Sequence, residues 1–210
     1  IAVKLFHHLT GTEQCQIVRL LCFIRCVSAC HHLQVSCLEV GRHPHHVVHH
    51  ATHQSVEDVA IVRSIPNLQV VVVADATEAR LATLAATQVK GPVYLRLSRA
   101  EVPVIFDQDY NFILGQAHLL VPGGDLTIIA NGYMVYKALE AVQMLNQKGI
   151  YPRLLNMHTV KPLDKTAVLT AAKETGAILT VEEHSIYGGL GSAVAETIVQ
   201  NYPVPMGIMG

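Results

Sequence analysis

An α/β fold in two domains, with mostly parallel sheets flanked by helices, is the architecture this sequence predicts. Three observations carry that expectation. Gln69 to Ala74 is a β-branched run without polar–apolar alternation, as in a parallel strand buried on both faces. Strand-length apolar runs at Val93 to Leu97, Leu126 to Ala130, Arg153 to Met157 and Ala177 to Val181 alternate with helix-length segments. Cap and stop residues bracket those segments, with Asp75 and Asp164 at helix starts and Gly149 and Gly176 at helix ends.

Taken in order, Ser55 followed by Asp58 resembles a capping box and predicts a short helix through about Arg63, stopped by Ile65-Pro66-Asn67. After the strand from Gln69, Asp75 and Glu78 form a second capping-box pattern. The helix they open should run to about Gln88, apolar at Leu81, Leu84 and Ala85, until Gly91-Pro92 breaks it. With the strand from Val93 this makes a βαβ unit, whose crossover is expected to be right-handed. Tyr110 to Leu114 and Gln116 to Leu120 read as a hairpin around Gly115, and Val121-Pro122-Gly123-Gly124-Asp125 reads as a linker or turn. A second α/β run follows: strand Leu126 to Ala130, helix Tyr133 to Lys148, strand Arg153 to Met157, helix from Asp164 to about Thr175 and strand Ala177 to Val181. Gly188-Gly189-Leu190-Gly191 then leads into a helix from Ser192 to about Asn201, and Pro203 to Met209 starts a further strand. The domains expected are an atypical segment 1–50, part of a first α/β domain over 51–105, a linker or hairpin over 106–124, and a truncated second domain over 125–210.

Composition narrows the function classes. Half of the 210 residues are apolar and the formal net charge is −1, which supports a packed core and gives no footprint for nucleic acid or an anionic membrane. No apolar run reaches roughly 18 residues, so no membrane span is predicted. The start carries no signal-peptide pattern, and Ile1 in place of Met points to a fragment. All five cysteines and ten of the 13 histidines fall within the first 53 residues. Cys22, Cys26 and Cys30 share one helical face next to His31-His32, yet their spacing fits no standard zinc module, and disulfides along one helix are geometrically excluded. We read residues 1–50 as text that does not encode a native domain, and assign no metal site. The cysteine-free remainder suits a cytoplasmic protein.

Thr52, His53, Gln54 and Arg99 stand at the two ends of the tract Ala51 to Arg99, where polar groups can meet a small anionic substrate. Open parallel sheets bind ligands at the carboxyl ends of their strands. At THQSVEDVAIVRSIPN, ADATEA and GPVYLRLSR the chain resembles the transketolase family of thiamine-diphosphate enzymes, over the second half of the pyrimidine-binding domain. NGYMVYKALEA, HTVKPLDKTAV and VEEHSIYGGLGSAVAE are similar to that family's C-terminal domain, closest to the separately encoded C-terminal half of split transketolases. Upstream, Val48, His49 and His50 stand where the family has an acidic, glycine-containing segment.

The resemblance implies that His53 is catalytic, facing the reacting hydroxyls of the donor, where a neutral imidazole can donate or accept a proton. It implies that Arg99 binds the sugar phosphate, for which a planar guanidinium is suited. The structural alternatives are a histidine satisfied by backbone at a helix start and a surface arginine. It further implies two-carbon ketol transfer between phosphorylated sugars, with thiamine diphosphate as electron sink and Mg²⁺. Both would be held largely by a partner, an N-terminal diphosphate-binding subunit, in a homo- or hetero-oligomer such as a dimer. The chain alone would then be inactive. Other readings are a catalytically incomplete fragment or interaction module of the same fold, a deoxyxylulose-phosphate synthase or 2-oxo-acid dehydrogenase β-like protein, and, from the glycine turn alone, a nucleotide-binding protein. The spacing of Gly188-Gly189-Leu190-Gly191 is not GxGxxG and favours a tight turn with close helix–sheet packing. The resemblance also makes Glu182, Glu183 and His184 part of a structural or interface segment rather than an acid/base cluster.

Overall fold

A computed structural model describes residues 55–98 and 100–210. In chain order the first elements are α1 (Asp58–Ser64), β1 (Gln69–Val72), α2 (Ala76–Ala86), β2 (Val93–Arg96), β3 (His118–Val121) and β4 (Thr127–Ala130). They are followed by α3 (Met134–Asn146), β5 (Arg153–Asn156), β6 (Thr159–Lys161), α4 (Lys165–Thr175), β7 (Ile178–Val181), α5 (Leu190–Asn201) and β8 (Met206–Met209). The fold is α/β, with two sheets flanked by helices. Among the described residues no helix is long and apolar enough to cross a membrane.

The larger sheet has the order β3-β5-β4-β7-β8, parallel throughout except for β3, which runs antiparallel to β5. Successive strand residues face opposite layers, as the period of two requires. Ile128 and Leu154 pack under α3 with Val135, Ala138 and Val142. Their neighbours Ile129 and Leu155 face α4 and α5, meeting Val168, Ala172, Leu190 and Val194. The expected caps are in place. Asp164 accepts the N–H of Ala167, and Gly176 ends α4 in the left-handed region at φ 68°. Beyond α3, Gly149 and Ile150 donate to the carbonyls of Asn146 and Leu145, the paired bonds of a Schellman ending with Gly149 at φ 76°.

The smaller sheet has the order β2-β1-β6. β1 and β2 are parallel, as the βαβ reading requires, but β6 joins antiparallel from the HTVKPLD motif, far along the chain. Alternation again sorts β1: Val70 and Val72 pack with Val59 of α1, while Val71 and Val73 pack with Ala82 of α2. Asp75 caps α2 through the N–H of Glu78, and its second oxygen accepts from Ile105 and Phe106 at 2.7 and 2.8 Å. One carboxylate thus starts a helix and anchors the strap that leaves the sheet.

Three expectations change. Tyr110 to Leu114 is not a strand, and β3 pairs with β5 rather than forming a hairpin. The reason is packing: Phe106 and Tyr110 stack at 3.9 Å between ring centroids and bury beneath α3, so the strap follows the core instead of a partner strand. Ser55 does not cap α1; Glu57 is at the N-cap position, and no side chain there makes a capping bond. Helix α5 begins at Leu190, not Ser192, for a reason given below.

His158 illustrates how the motif between the sheets is built. Its carbonyl accepts the N–H of Val72 at 2.7 Å, and its ring lies on Phe112 with centroids 4.3 Å apart. Burial, with His118 nearby, pushes its imidazole down to about 4. An unfolded histidine titrates near 6.5, so between that value and about 4 the unfolded chain takes up a proton that the folded chain refuses. The stabilisation is present above about 6.5 and is lost as pH falls, by roughly 3 kcal/mol at the lower end. Urea unfolding of His158→Phe beside the parent chain should show their stability difference shifting by that amount between pH 7 and 4. A constant difference would refute the assignment.

Candidate functional site

His53 and Arg99 lie outside the described residues, as do Thr52, Gln54 and the Cys/His-rich segment. What the structure shows is the framework on either side of both positions. Arg96, near the carboxyl end of β2, donates from Nη2 to the carbonyl of Ser55 at 2.9 Å and from Nε to Asp58 Oδ2 at 3.0 Å. Tyr94, two residues earlier and so on the same face, donates its hydroxyl to the same oxygen at 2.6 Å. Burial, followed by the bond to Asp58, pushes the Tyr94 phenol up to about 12, so it remains a donor at any working pH. Asp58 Oδ1 is buried and has no hydrogen-bond partner among the described residues. The strand that leads into Arg99 therefore grips the chain two residues after His53.

A second grip comes from the far domain. The N–H of Ser185 donates to the carbonyl of Val56 at 2.7 Å. His184 Nε2 accepts the N–H of Ala60 at 3.3 Å, and its Nδ1 lies 2.7 Å from the carbonyl oxygen of Ser185. The network assigns the proton to Nδ1, which donates to that carbonyl. At the other end of α1, Lys161 Nζ donates to the carbonyls of Arg63 and Ile65 at 2.9 and 2.6 Å. Arg63 donates to the Gly188 carbonyl and pairs with Glu196. A cleft of about 460 Å³ opens beside this seam, lined by Arg63, Lys161, Val160 and Glu196 among others. Its Arg63 and Lys161 are engaged in holding α1 rather than presented to a ligand.

The glycine turn before α5 is a site already filled from within. Glu182 sits 3% exposed and accepts the N–H groups of Leu190 and Gly191 at 2.7 and 2.9 Å. Burial pushes its carboxyl up, while those two N–H groups pull the other way. A carboxylate at a helix start satisfies orphan donors and complements the dipole, which is why α5 begins two residues early. A Cβ on Gly189 would lie 2.2 Å from Glu182 Oε2, so glycine is present to admit the carboxylate, not a nucleotide phosphate. Glu182 and His184 are thus both caps, one for α5 and one for α1. The sequence carries them as a structural or interface segment, without the groups they hold.

The described residues do not fit the diphosphate and metal end of a thiamine cofactor. Among them, no group of three His, Cys, Asp or Glu side chains could hold a metal ion. The backbone cradle before α5 is occupied by Glu182. What they show is a framework that holds the chain on either side of positions 53 and 99.

Comparison with known proteins shows the family. The transketolase pyrimidine-binding domain matches residues 17–104 and the transketolase C-terminal domain matches 115–208. The first match takes in much of the Cys/His-rich segment, upstream of the compositional break at Ala51. An apulose-4-phosphate transketolase subunit of Phocaeicola vulgatus is 47% identical over 161 residues, which are 76% of this chain and 51% of that protein. The 6-deoxy-6-sulfo-D-fructose transketolase subunit of a Clostridium species is 46% identical over 159 residues, 76% of this chain and 49% of that one. A solved split-gene transketolase, in an inactive β4 tetramer, superposes with TM-score 0.73 at 46% identity, over 74% of this chain and 52% of that one. The chain spans about half the length of these relatives. With its sheet ends, its motifs and two adjoining domain matches in agreement, the chain belongs to the transketolase family.

Proposed function

We propose that this chain works as the C-terminal half of a split transketolase, carrying out ketol transfer together with an N-terminal subunit that holds most of the thiamine diphosphate and Mg²⁺. His53 serves the proton traffic at the donor hydroxyls, and Arg99 binds the anionic end of the sugar. The observation that supports this most directly is the Arg96–Ser55 bond, which joins the stretches of chain adjoining positions 53 and 99. Relatives named for a sugar phosphate and a sulfo-sugar share an anionic substrate end, for which a fixed guanidinium is suited. Two of these relatives are named as transketolase subunits, which supports a partner chain and an oligomer whose site is incomplete without it, and the cysteine-free sequence from residue 51 onward suits the cytoplasm. The isolated chain is then inactive; the β4 tetramer of the split-gene relative, itself inactive, favours this.

The test is reconstitution. The chain is mixed with a matching N-terminal subunit, thiamine diphosphate and Mg²⁺, and ketol transfer is followed from xylulose 5-phosphate and other anionic ketoses. His53→Ala should lower kcat by about a hundredfold, in line with loss of a general acid–base group. Arg99→Ala should raise KM for the anionic donor by about tenfold or more with a smaller change in kcat. Reconstitution that yields no transfer would leave the second reading, a catalytically incomplete module of the same fold, whereas transfer indifferent to His53→Ala would overturn the role given to His53.

A further inference from the structure

Helix α1 is too short to hold itself. It has seven residues and no side-chain cap of its own, and helices of that length are unstable without tertiary support. Its support comes from the C-terminal domain at both ends. His184 accepts the first-turn N–H of Ala60 from 124 positions away, and Lys161 takes the last-turn carbonyls. Ser185 fixes the Val56 carbonyl, three residues after His53. Gly188 lets the turn come close, since a Cβ there would lie 2.6 Å from the Cβ of Ala60. On the opposite side Arg96 holds Ser55 and Asp58.

We infer that His184, with Lys161 as its counterpart at the other end of α1, is a positioning residue by which the C-terminal domain sets the placement of the segment bearing His53. The inference rests on the role given to His53 above. Neither side chain needs to touch substrate. Each acts by fixing the helix that begins at Asp58, four residues after Gln54, and a displacement of about 1 Å at a catalytic group costs on the order of a hundredfold in rate. The imidazole serves here as a neutral acceptor, so a side chain that places an oxygen where Nε2 stands should replace it.

The reconstituted complex tests this with His184→Ala, His184→Gln and Lys161→Met, alone and combined with His53→Ala. The expected result for His184→Ala is a kcat about tenfold to a hundredfold lower with donor KM changed less than about threefold. His184→Gln, whose amide oxygen reaches the Ala60 N–H, should recover most of that loss. In the His53→Ala background His184→Ala should add nothing further, because both losses run through one group. In the chain alone, amide exchange at Ala60 should accelerate by about tenfold or more in His184→Ala and return in His184→Gln. A kcat within about twofold of the parent, or a loss of equal size with and without His53, overturns the inference even if thermal stability falls. Should His184→Ala fail to fold, His184→Gln and Lys161→Met decide: parent-like exchange at Ala60 and parent-like kcat in Lys161→Met overturn it. If His53→Ala itself is silent, the functional reading fails separately, and unchanged exchange at Ala60 in His184→Ala overturns the clamp by itself.

Discussion

Glu78→Ala is expected to destabilise the chain by roughly 4 kcal/mol, because three buried donors lose one acceptor group. Glu78 lies fully buried on α2, its Oε2 accepting the N–H of Ala74 at 2.7 Å. Its Oε1 accepts from the Tyr110 hydroxyl at 2.8 Å and from Asn156 Nδ2 at 2.7 Å. One carboxyl thus joins α2, the strap and strand β5. Glu78→Gln should cost only about 1 kcal/mol. Its remaining oxygen can keep Ala74, while the new amide meets Asn156 after a flip that brings in the Asn156 Oδ1, now without a partner among the described residues. Burial pushes the Glu78 carboxyl up to about 7, against the pull of Ala74, Tyr110 and Asn156. The folded chain therefore holds a proton at pH values where the unfolded chain has released it. That contribution is complete below about 4.5 and is lost as pH rises through about 7, by roughly 3 kcal/mol. His158 has the opposite slope over much of the same interval. The two should largely cancel between about pH 4.5 and 6.5, and Glu78→Gln should expose the histidine slope. Urea unfolding across that interval reads it directly, and a Glu78→Gln profile parallel to the parent's would show that the carboxyl does not titrate there.

Gly189→Ala is the second large effect, expected at about 3 kcal/mol or more. Backbone conformation is not the cause, because φ at Gly189 is −85°, open to any residue. The cause is space: the added Cβ would stand 2.2 Å from Glu182 Oε2 and 2.7 Å from its Cδ. Moving that carboxylate strands the N–H groups of Leu190 and Gly191 inside the protein. Shortening the acid should then relieve the clash, so Gly189→Ala with Glu182→Asp is expected to be less destabilised than the sum of the two single changes. Thermal unfolding of the four proteins measures the coupling, and strict additivity would mean that the methyl meets something other than Glu182.

Asp75, Asp164, Gly149 and Gly176 are recognisable as caps because a cap acts on donors or acceptors within four residues of itself. The buried runs of β1 and β4 are recognisable because their neighbours on both faces are apolar. The role of His184 is not legible in the sequence, since nothing local connects it to Ala60. Thr159–Lys161 is too short for any periodicity to register, so its place in the first sheet is invisible until β1 is beside it. Phe106 and Tyr110 mislead for a related reason, because aromatic residues that suit a strand also suit a strap stacked beneath a helix.

By itself the sequence determined the α/β class, the order of most helices and strands, most of their caps and the family, all of which rest on patterns contained within a few turns of chain. Only the tertiary structure decided that the C-terminal domain lends a strand to the first sheet, that Glu182 fills the glycine turn, and that His184 and Lys161 hold α1. Those are pairings of groups far apart along the chain. A donor and its distant acceptor leave no mark on each other's neighbours, and burial alone shows that each has found the other.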